Sequence, residues 1–220
     1  MTETLLLATT NRGKIREIRR ALKGLPLDIV GMPDVLPGLS YRERGKSFTE
    51  IARAKSLFYS RTFDGLTLAE DSGLEVDALG GAPGIRSARF SAPRPSDARN
   101  NEKVLRLLRR VPSRGRGARF VCAMALTRRG RVVTEIRGQV RGRIAPGPRG
   151  RSGFGYDPLF IYPPLGKTFA EIGPLRKNEV SHRGRALRKL RRFLASYIKD
   201  APAAARERRK EEGAAPPRLT

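Results

Sequence analysis

A mixed α/β sheet is the fold class this sequence predicts, and three observations predict it. Short apolar runs alternate with segments of helical period, one pair of alternating segments faces across a tight basic turn, and no internal repeat divides the chain. The first strand is the run Leu5-Leu6-Leu7. Ile15, Ile18, Leu22 and Leu25 then recur at helical spacing, with Asn11 placed as a cap and Gly13-Lys14 at the helix N-terminus. A second strand is expected at Leu27–Val30, after which Pro and Gly break the chain from Met32 to Gly45. Ser47 caps a helix over Phe48–Phe58, with Phe48, Ile51, Ala52, Lys55 and Phe58 near one face.

Leu66–Ala69 reads as a short apolar strand ending abruptly at Glu70-Asp71-Ser72-Gly73, followed by Leu74–Val76 and the loop Gly80–Gly84. Ser96 caps a helix running to Arg110, with Val104, Leu105, Leu107 and Leu108 as its apolar face. Ala118–Arg128 alternates Phe120, Cys122, Met124 and Leu126, and Val132–Val140 answers it across Arg128-Arg129-Gly130-Arg131 as a hairpin. The Gly-rich stretch Gly150–Pro158 precedes a strand at Leu159–Tyr162. A last helix, about Gly184–Lys199, sets Leu187, Leu190, Leu194 and Ile198 on one side. The chain therefore divides into one domain, residues 1–199, and a disordered basic tail, residues 200–220, whose charge, Ala and Pro leave no apolar face to bury.

Composition narrows the chemistry. Hydrophobic residues make up 39% of 220, which suits a soluble globular chain rather than a disordered one. No apolar run approaches the roughly 18 residues of a membrane span, and the first residues carry no signal-peptide pattern, so no membrane partner and a cytoplasmic location are the default expectations. One cysteine, Cys122, forbids an internal disulfide. With a single histidine, His182, it also excludes a Cys/His zinc site, so any metal is a hard ion on carboxylates and water: Mg²⁺, with Mn²⁺ as a substitute. The net charge of +25 points to polyanionic partners, nucleic acid or nucleotide phosphate among them. The basic residues are mostly Arg and scattered over every segment, as a codon bias would also scatter them, and aromatics to stack bases are few. A nucleic-acid-binding module is therefore the alternative reading.

Four stretches hold the chemistry. In ATTNRGK (Ala8–Lys14), Thr and Asn side chains, a close-approach Gly, a Lys charge and helix N–H groups are the parts of a phosphate cradle, though not in P-loop spacing. A plain N-cap before a helix reads equally well. In AEDSG, two adjacent acids on a strand point to opposite faces, so one can hold a metal while its neighbour braces the loop or receives a proton; an acidic turn is the other reading. Glu43 and Glu50 are scarce upstream acids able to complete a metal shell. In SGFGYDP, Phe154 and Tyr156 offer flat faces and Gly153 and Gly155 expose backbone groups to a base edge, unless the stretch is only a hinge. In KNEVSHRG, Lys177, His182 and Arg183 precede a helix; alone, His182 reads as a surface helix cap. Together the four meet the needs of a nucleoside triphosphate enzyme.

At this point the sequence resembles the Ham1/RdgB-like non-canonical purine NTP pyrophosphatases, also called inosine triphosphatases. The resemblance runs in order through ATTNRGKIREI, ERGKSFTEIARAKS, LAEDSGLEVDALGGAPGIRSARFS, NEKVLRLL, ARFVCAMAL, GRSGFGYDPLF, GKTFAEI and KNEVSHRGRALRKL, covering residues 5–198. Carried over by position, it implies that Thr9, Thr10, Asn11, Arg12, Gly13 and Lys14 hold the triphosphate, with Lys55 assisting. It implies Asp71 as proton acceptor and Mg²⁺ ligand, Glu43 as second acidic ligand and Ser72 touching substrate. Phe154, Gly155, Tyr156 and Asp157 would line the base pocket, and Lys177, His182 and Arg183 would contact the nucleotide. The family fold implied is an elongated mixed sheet with flanking helices, two lobes around a central substrate cleft, in a homodimer. Two positions depart from the family pattern: Ile51 stands where Asn is frequent, and Glu70 where Asp is. The implied activity is hydrolysis of ITP, dITP and XTP to the monophosphate and pyrophosphate. A Maf-like pyrophosphatase for other modified or pyrimidine NTPs is the alternative enzyme.

Overall fold

The computed structural model describes residues 2–200; Asp200, expected to open the tail, instead closes the last helix, and residues 201–220 of the expected tail lie outside the described residues. In chain order the elements are β1 (Glu3–Leu7), α1 (Arg12–Leu22), β2 (Leu27–Gly31), α2 (Met32–Val35), α3 (Phe48–Ser60), β3 (Leu66–Val76), α4 (Asp97–Leu107), β4 (Gly117–Arg128), β5 (Arg131–Ile144), β6 (Phe160–Tyr162), β7 (Lys167–Thr168), α5 (Gly173–Val180) and α6 (His182–Asp200). The strands form one mixed sheet in the order β2-β1-β3-β4-β5-β6-β7. β2, β1 and β3 are parallel, and the pairs from β3 to β7 are antiparallel.

Side-chain alternation along the strands decides the layers. Leu5, Leu7, Leu66, Leu68, Cys122, Met124 and Leu126 face α1 and α6, which return Ile18, Leu22, Leu187, Leu190 and Leu194. Their neighbours point the other way: Val121, Ala123 and Ala125 meet Phe48 and Ala52 of α3, and Leu6 and Ala69 meet Tyr59. A further cluster of Leu74, Val76, Phe120, Phe160 and Phe169 fills the distal end of the sheet beside Val104 and Leu108.

Three expectations are corrected here. AEDSG is no turn: β3 runs unbroken for 11 residues, paired with β4 from Leu66↔Arg128 to Val76↔Ala118, so the ladder satisfies the backbone straight through the two acids. The helix after Ser96 stops at Leu107, not Arg110. The last helix begins at His182, two residues before Gly184, with the unforeseen α5 leading into it.

Gly138 of β5 lets α6 lie close. A Cβ there would meet the His182 carbonyl and come within 2.7 Å of the Ala186 nitrogen, both backbone atoms. Gly138→Ala is therefore expected to destabilise by about 1–3 kcal/mol or more, since overpacking must move a helix rather than a side chain. Chemical denaturation measures the loss, and an unchanged midpoint would show that α6 yields freely.

Candidate active site

A cleft of about 440 Å³ opens where β1, β3 and the N-termini of α1 and α6 converge. It is lined by Thr9, Thr10, Asn11, Lys14, Glu43, Lys55, Asp71, Ser72, Phe154, Gly155, Tyr156, Asp157, Lys177, His182 and Arg183, so fifteen of the seventeen expected residues come together in one cavity. The two that do not line it are Arg12, which is exposed, and Gly13, which lies under the Phe154 ring; a Cβ on Gly13 would approach that ring to 2.8 Å.

The helix-cap reading of ATTNRGK holds. Asn11 caps α1, its side-chain oxygen accepting from the Lys14 N–H at 3.0 Å, while its own N–H donates to Thr9 Oγ1 at 3.2 Å. The same turn presents Thr9, Thr10 and Lys14 to the cleft. A helix N-terminus there favours negative charge.

The two acids of β3 diverge as the period of two demands. Glu70 turns toward α1 and α6, and is fully buried. The Arg183 guanidinium donates to both its oxygens, at 2.8 to 3.0 Å, and Lys14 Nζ lies 3.4 Å away. Burial alone would raise the Glu70 pKa, but Arg183 first and Lys14 next outweigh it and hold the carboxyl well below its ordinary range. Arg183 also donates to Glu17 Oε2 at 2.7 Å and to Ser72 Oγ at 2.9 Å. Lys177 donates to Asp157 at 2.6 Å and to Glu17 at 3.2 Å. Both cations are thus neutralised from behind.

Asp71 turns toward α3. It is 8% exposed, and its Oδ2 is buried with no hydrogen-bond partner. Burial pushes its pKa up to about 6; Lys14 and Lys55 pull it down, while Glu43 and Glu70 push it up. Glu43 itself is held by Lys55 at 2.7 Å and lies 3.6 Å from Arg89. A buried acceptor left unpaired costs free energy, so its persistence in a cleft marks a place for a proton, a cation or a reacting water.

The base-side loop is pinned from several directions. Gly153 and Gly155 adopt φ of +86° and +63°, which few other residues tolerate. Asp97 accepts from the Gly155 N–H at 2.7 Å, Asn101 donates to its carbonyl at 2.9 Å, and Asp157 accepts from the Phe154 N–H at 2.9 Å. Lys177 Nζ and the Arg183 guanidinium sit 4.5 and 5.4 Å from the Phe154 ring centre. Tyr156 is packed in the distal core and donates its hydroxyl to the Ser87 carbonyl at 2.8 Å. His182 is no surface cap: it is buried, its ring stacks on Phe120 at 4.6 Å, and its Nδ1 has no partner. Burial first, then Arg183 and Lys177, hold its pKa well below the usual value, so the imidazole is neutral.

Sequence reasoning missed Glu17, the shared anchor of Lys177 and Arg183. Its signal was available, since Glu17 follows Lys14 by three residues on one helix face. Tyr41, Ser87, Arg89 and Phe120 also line the cleft, and no local pattern marks them.

Comparison with known proteins places this geometry among relatives. A model described as the Ham1 family matches residues 5–193. A dITP/XTP pyrophosphatase of Gloeobacter violaceus is 45% identical over 191 residues, covering 86% of this chain and 93% of its own length. Another of that name from Syntrophobacter fumaroxidans is 46% identical over 195 residues, 89% of this chain and 83% of its own. Among solved structures, the Ham1 protein of Staphylococcus aureus superposes with a TM-score of 0.80 at 36% identity, covering 88% of this chain and 99% of its own, and that of Coxiella burnetii with 0.82 at 34% over the same shares.

Proposed function

The chain belongs to the Ham1 family, and from that premise we propose that it hydrolyses ITP, dITP and XTP between the α and β phosphates, releasing the monophosphate and pyrophosphate and so clearing these nucleotides from the pool. The observation that carries the reading is Asp71: an unpartnered, buried carboxylate beside the cations Lys14 and Lys55 in a nucleotide-sized cleft.

The donor set suits a hard divalent ion. Asp71 Oδ2 is free to ligate, Glu43 is near enough to raise its pKa, and among the described residues no group of three or more His, Cys, Asp or Glu forms a closed metal site. Mg²⁺ is held in this way, by one or two carboxylates plus substrate phosphates and water, with Mn²⁺ as a substitute. When bound, it neutralises triphosphate charge. The chain's own residues do the rest. Thr9, Thr10, Asn11 and the first turn of α1 orient the phosphates, and Asp71 accepts the proton of the attacking water. Lys14 and Lys55 would stabilise the charge that gathers on the departing pyrophosphate.

For selectivity, neutral His182 and the remaining N–H of Arg183 offer donors that reward a 6-keto oxygen and oppose the 6-amine of adenine. Each buried group left unpaired costs about 1–3 kcal/mol, so ATP turnover is expected to fall ten- to hundred-fold or more below that of ITP. Pyrophosphate release from ITP, XTP, dITP, GTP, ATP and dTTP, with and without Mg²⁺, tests this. Preference for dTTP or another pyrimidine would favour the Maf-like alternative, and no release from any would overturn the reading. The proposal carries with it a homodimer in the cytoplasm. A sedimentation measurement giving a monomer at micromolar concentration would remove the first part. No helix among the described residues is long and apolar enough to cross a membrane.

A further inference from the structure

Basic residues that are scattered in sequence gather in a second groove, which shares no lining residue with the cleft. Between the open edge of β5 and α6 lies a groove of about 550 Å³ lined by five cations, Arg137, Arg185, Arg188, Lys189 and Arg192, with only Gly138 and Gln139 besides. No carboxylate and no large apolar side chain lines it. All five cations are exposed. On α6 they stand at i, i+3, i+4 and i+7, one face of the helix about 10 Å long.

The floor is built from backbone acceptors. Arg185 donates to the Gln139 carbonyl at 3.1 Å and Lys189 to the Arg137 carbonyl at 2.9 Å, covering a free strand edge. Arg188 donates to the Asn178 and Glu179 carbonyls at the end of α5, where the basic face ends: the neighbouring groove that Arg188 shares with Arg20 and Arg191 is lined also by Leu175, Leu187 and Glu179 and is mainly apolar. Arg137 and Arg192 have no side-chain hydrogen bond or ion pair among the described residues, which leaves their guanidinium groups available to a ligand.

We propose that this groove binds the sugar-phosphate backbone of nucleic acid without reading base sequence, as a function separate from nucleotide hydrolysis. The chemistry selects this occupant. Guanidinium groups bind phosphate oxygens bidentately, and a face 10 Å long spans about three phosphates of a duplex strand at 3.4 Å rise. A protein partner would look for an apolar centre with aromatic anchors, and none lines the groove; an anionic bilayer held by charge alone is the competitor that the vesicle arm of the test separates. A second copy related by two-fold symmetry would set these cations against one another. The absence of an aromatic platform argues for backbone contact rather than base stacking.

Fluorescence anisotropy of the full chain with a labelled mixed-sequence 20-base-pair duplex, from 50 to 200 mM salt, tests the proposal. Binding is expected for two unrelated sequences alike, with log K falling against log salt at a slope between about −3, for the three phosphates the face spans on one strand, and about −4.5, one for each of the five cations. The triple variant Arg137→Gln, Lys189→Gln, Arg192→Gln is expected to weaken binding ten-fold or more and to flatten the slope by about 3, with pyrophosphate release unchanged. The control Arg106→Gln, Arg109→Gln, Arg110→Gln removes equal charge from exposed positions elsewhere and is expected to stay within about two-fold of the parent, because distant charges are screened at these salt concentrations. Should the triple variant melt early, Arg137→Gln with Arg192→Gln, which breaks no bond, carries the same comparison. Equal weakening by groove and control variants would reduce the effect to net charge and overturn the proposal. So would failure to bind the duplex, or capture by vesicles containing 30% phosphatidylserine in place of the duplex.

Discussion

Asp71→Asn is expected to lower pyrophosphate release by about 10²- to 10⁴-fold and, in chelator, to make the protein more stable at pH 7. The first effect follows from removing the proton acceptor. The second follows from linkage. The folded Asp71 carboxyl has its pKa pushed up from 3.8 to about 6, chiefly by burial. Between those values the folded state holds more protons than the unfolded one, so this group's contribution is fully present below about pH 4 and is lost as pH rises through 6. At about 1.36 kcal/mol per pH unit the loss is on the order of 2–3 kcal/mol at pH 7, and an uncharged, nearly isosteric amide avoids it. For a chain of this size that is a rise of roughly 4–10 °C in melting temperature, with a flatter dependence of stability on pH between 4 and 7. Calorimetry in chelator reads the second effect, and the pyrophosphate assay the first. An inactive but destabilised variant would mean that Asp71 has a partner in solution. An active one would take the proton-accepting role from it.

Arg183→Met is expected to be the most damaging single substitution to the fold, costing about 3–5 kcal/mol, because it leaves a fully buried Glu70 carboxylate with Lys14 at 3.4 Å as its nearest counter-charge and only the Ser72 hydroxyl besides. Stripped of Arg183, Glu70 keeps its burial and loses its main counter-charge, so its pKa moves up. The deficit relative to the parent should therefore be largest at neutral pH and shrink toward pH 4, as the variant's Glu70 takes up a proton. Glu17 retains Lys177, so the loss centres on Glu70. Adding Glu70→Leu to the same chain should restore part of the stability, since two uncharged side chains of similar volume replace the pair. A double variant no better than Arg183→Met would locate the cost in packing against Phe154 instead. Neither variant is expected to hydrolyse ITP at the parent's rate, as Arg183 and its neighbour His182 both line the cleft.

The sequence alone determined what local rules govern. The alternation of Phe120, Cys122, Met124 and Leu126 fixed the β4–β5 hairpin, helical spacing fixed α1 and α3, and the period of two sent Glu70 and Asp71 to opposite faces. The collinear motifs then foretold which residues meet in the cleft. Tertiary structure decided what each of them is free to do. Whether AEDSG turns or continues depended on a partner strand some fifty residues away, because strand pairing, not local propensity, satisfies the backbone. His182 became a buried neutral ring only because Phe120 and α6 enclose it, and Arg183 found Glu17 across 166 residues. The same holds for charge. A chain of scattered arginines acquires a cationic groove only when β5 and α6 are laid side by side, since Coulomb interaction depends on distance in space and not along the sequence.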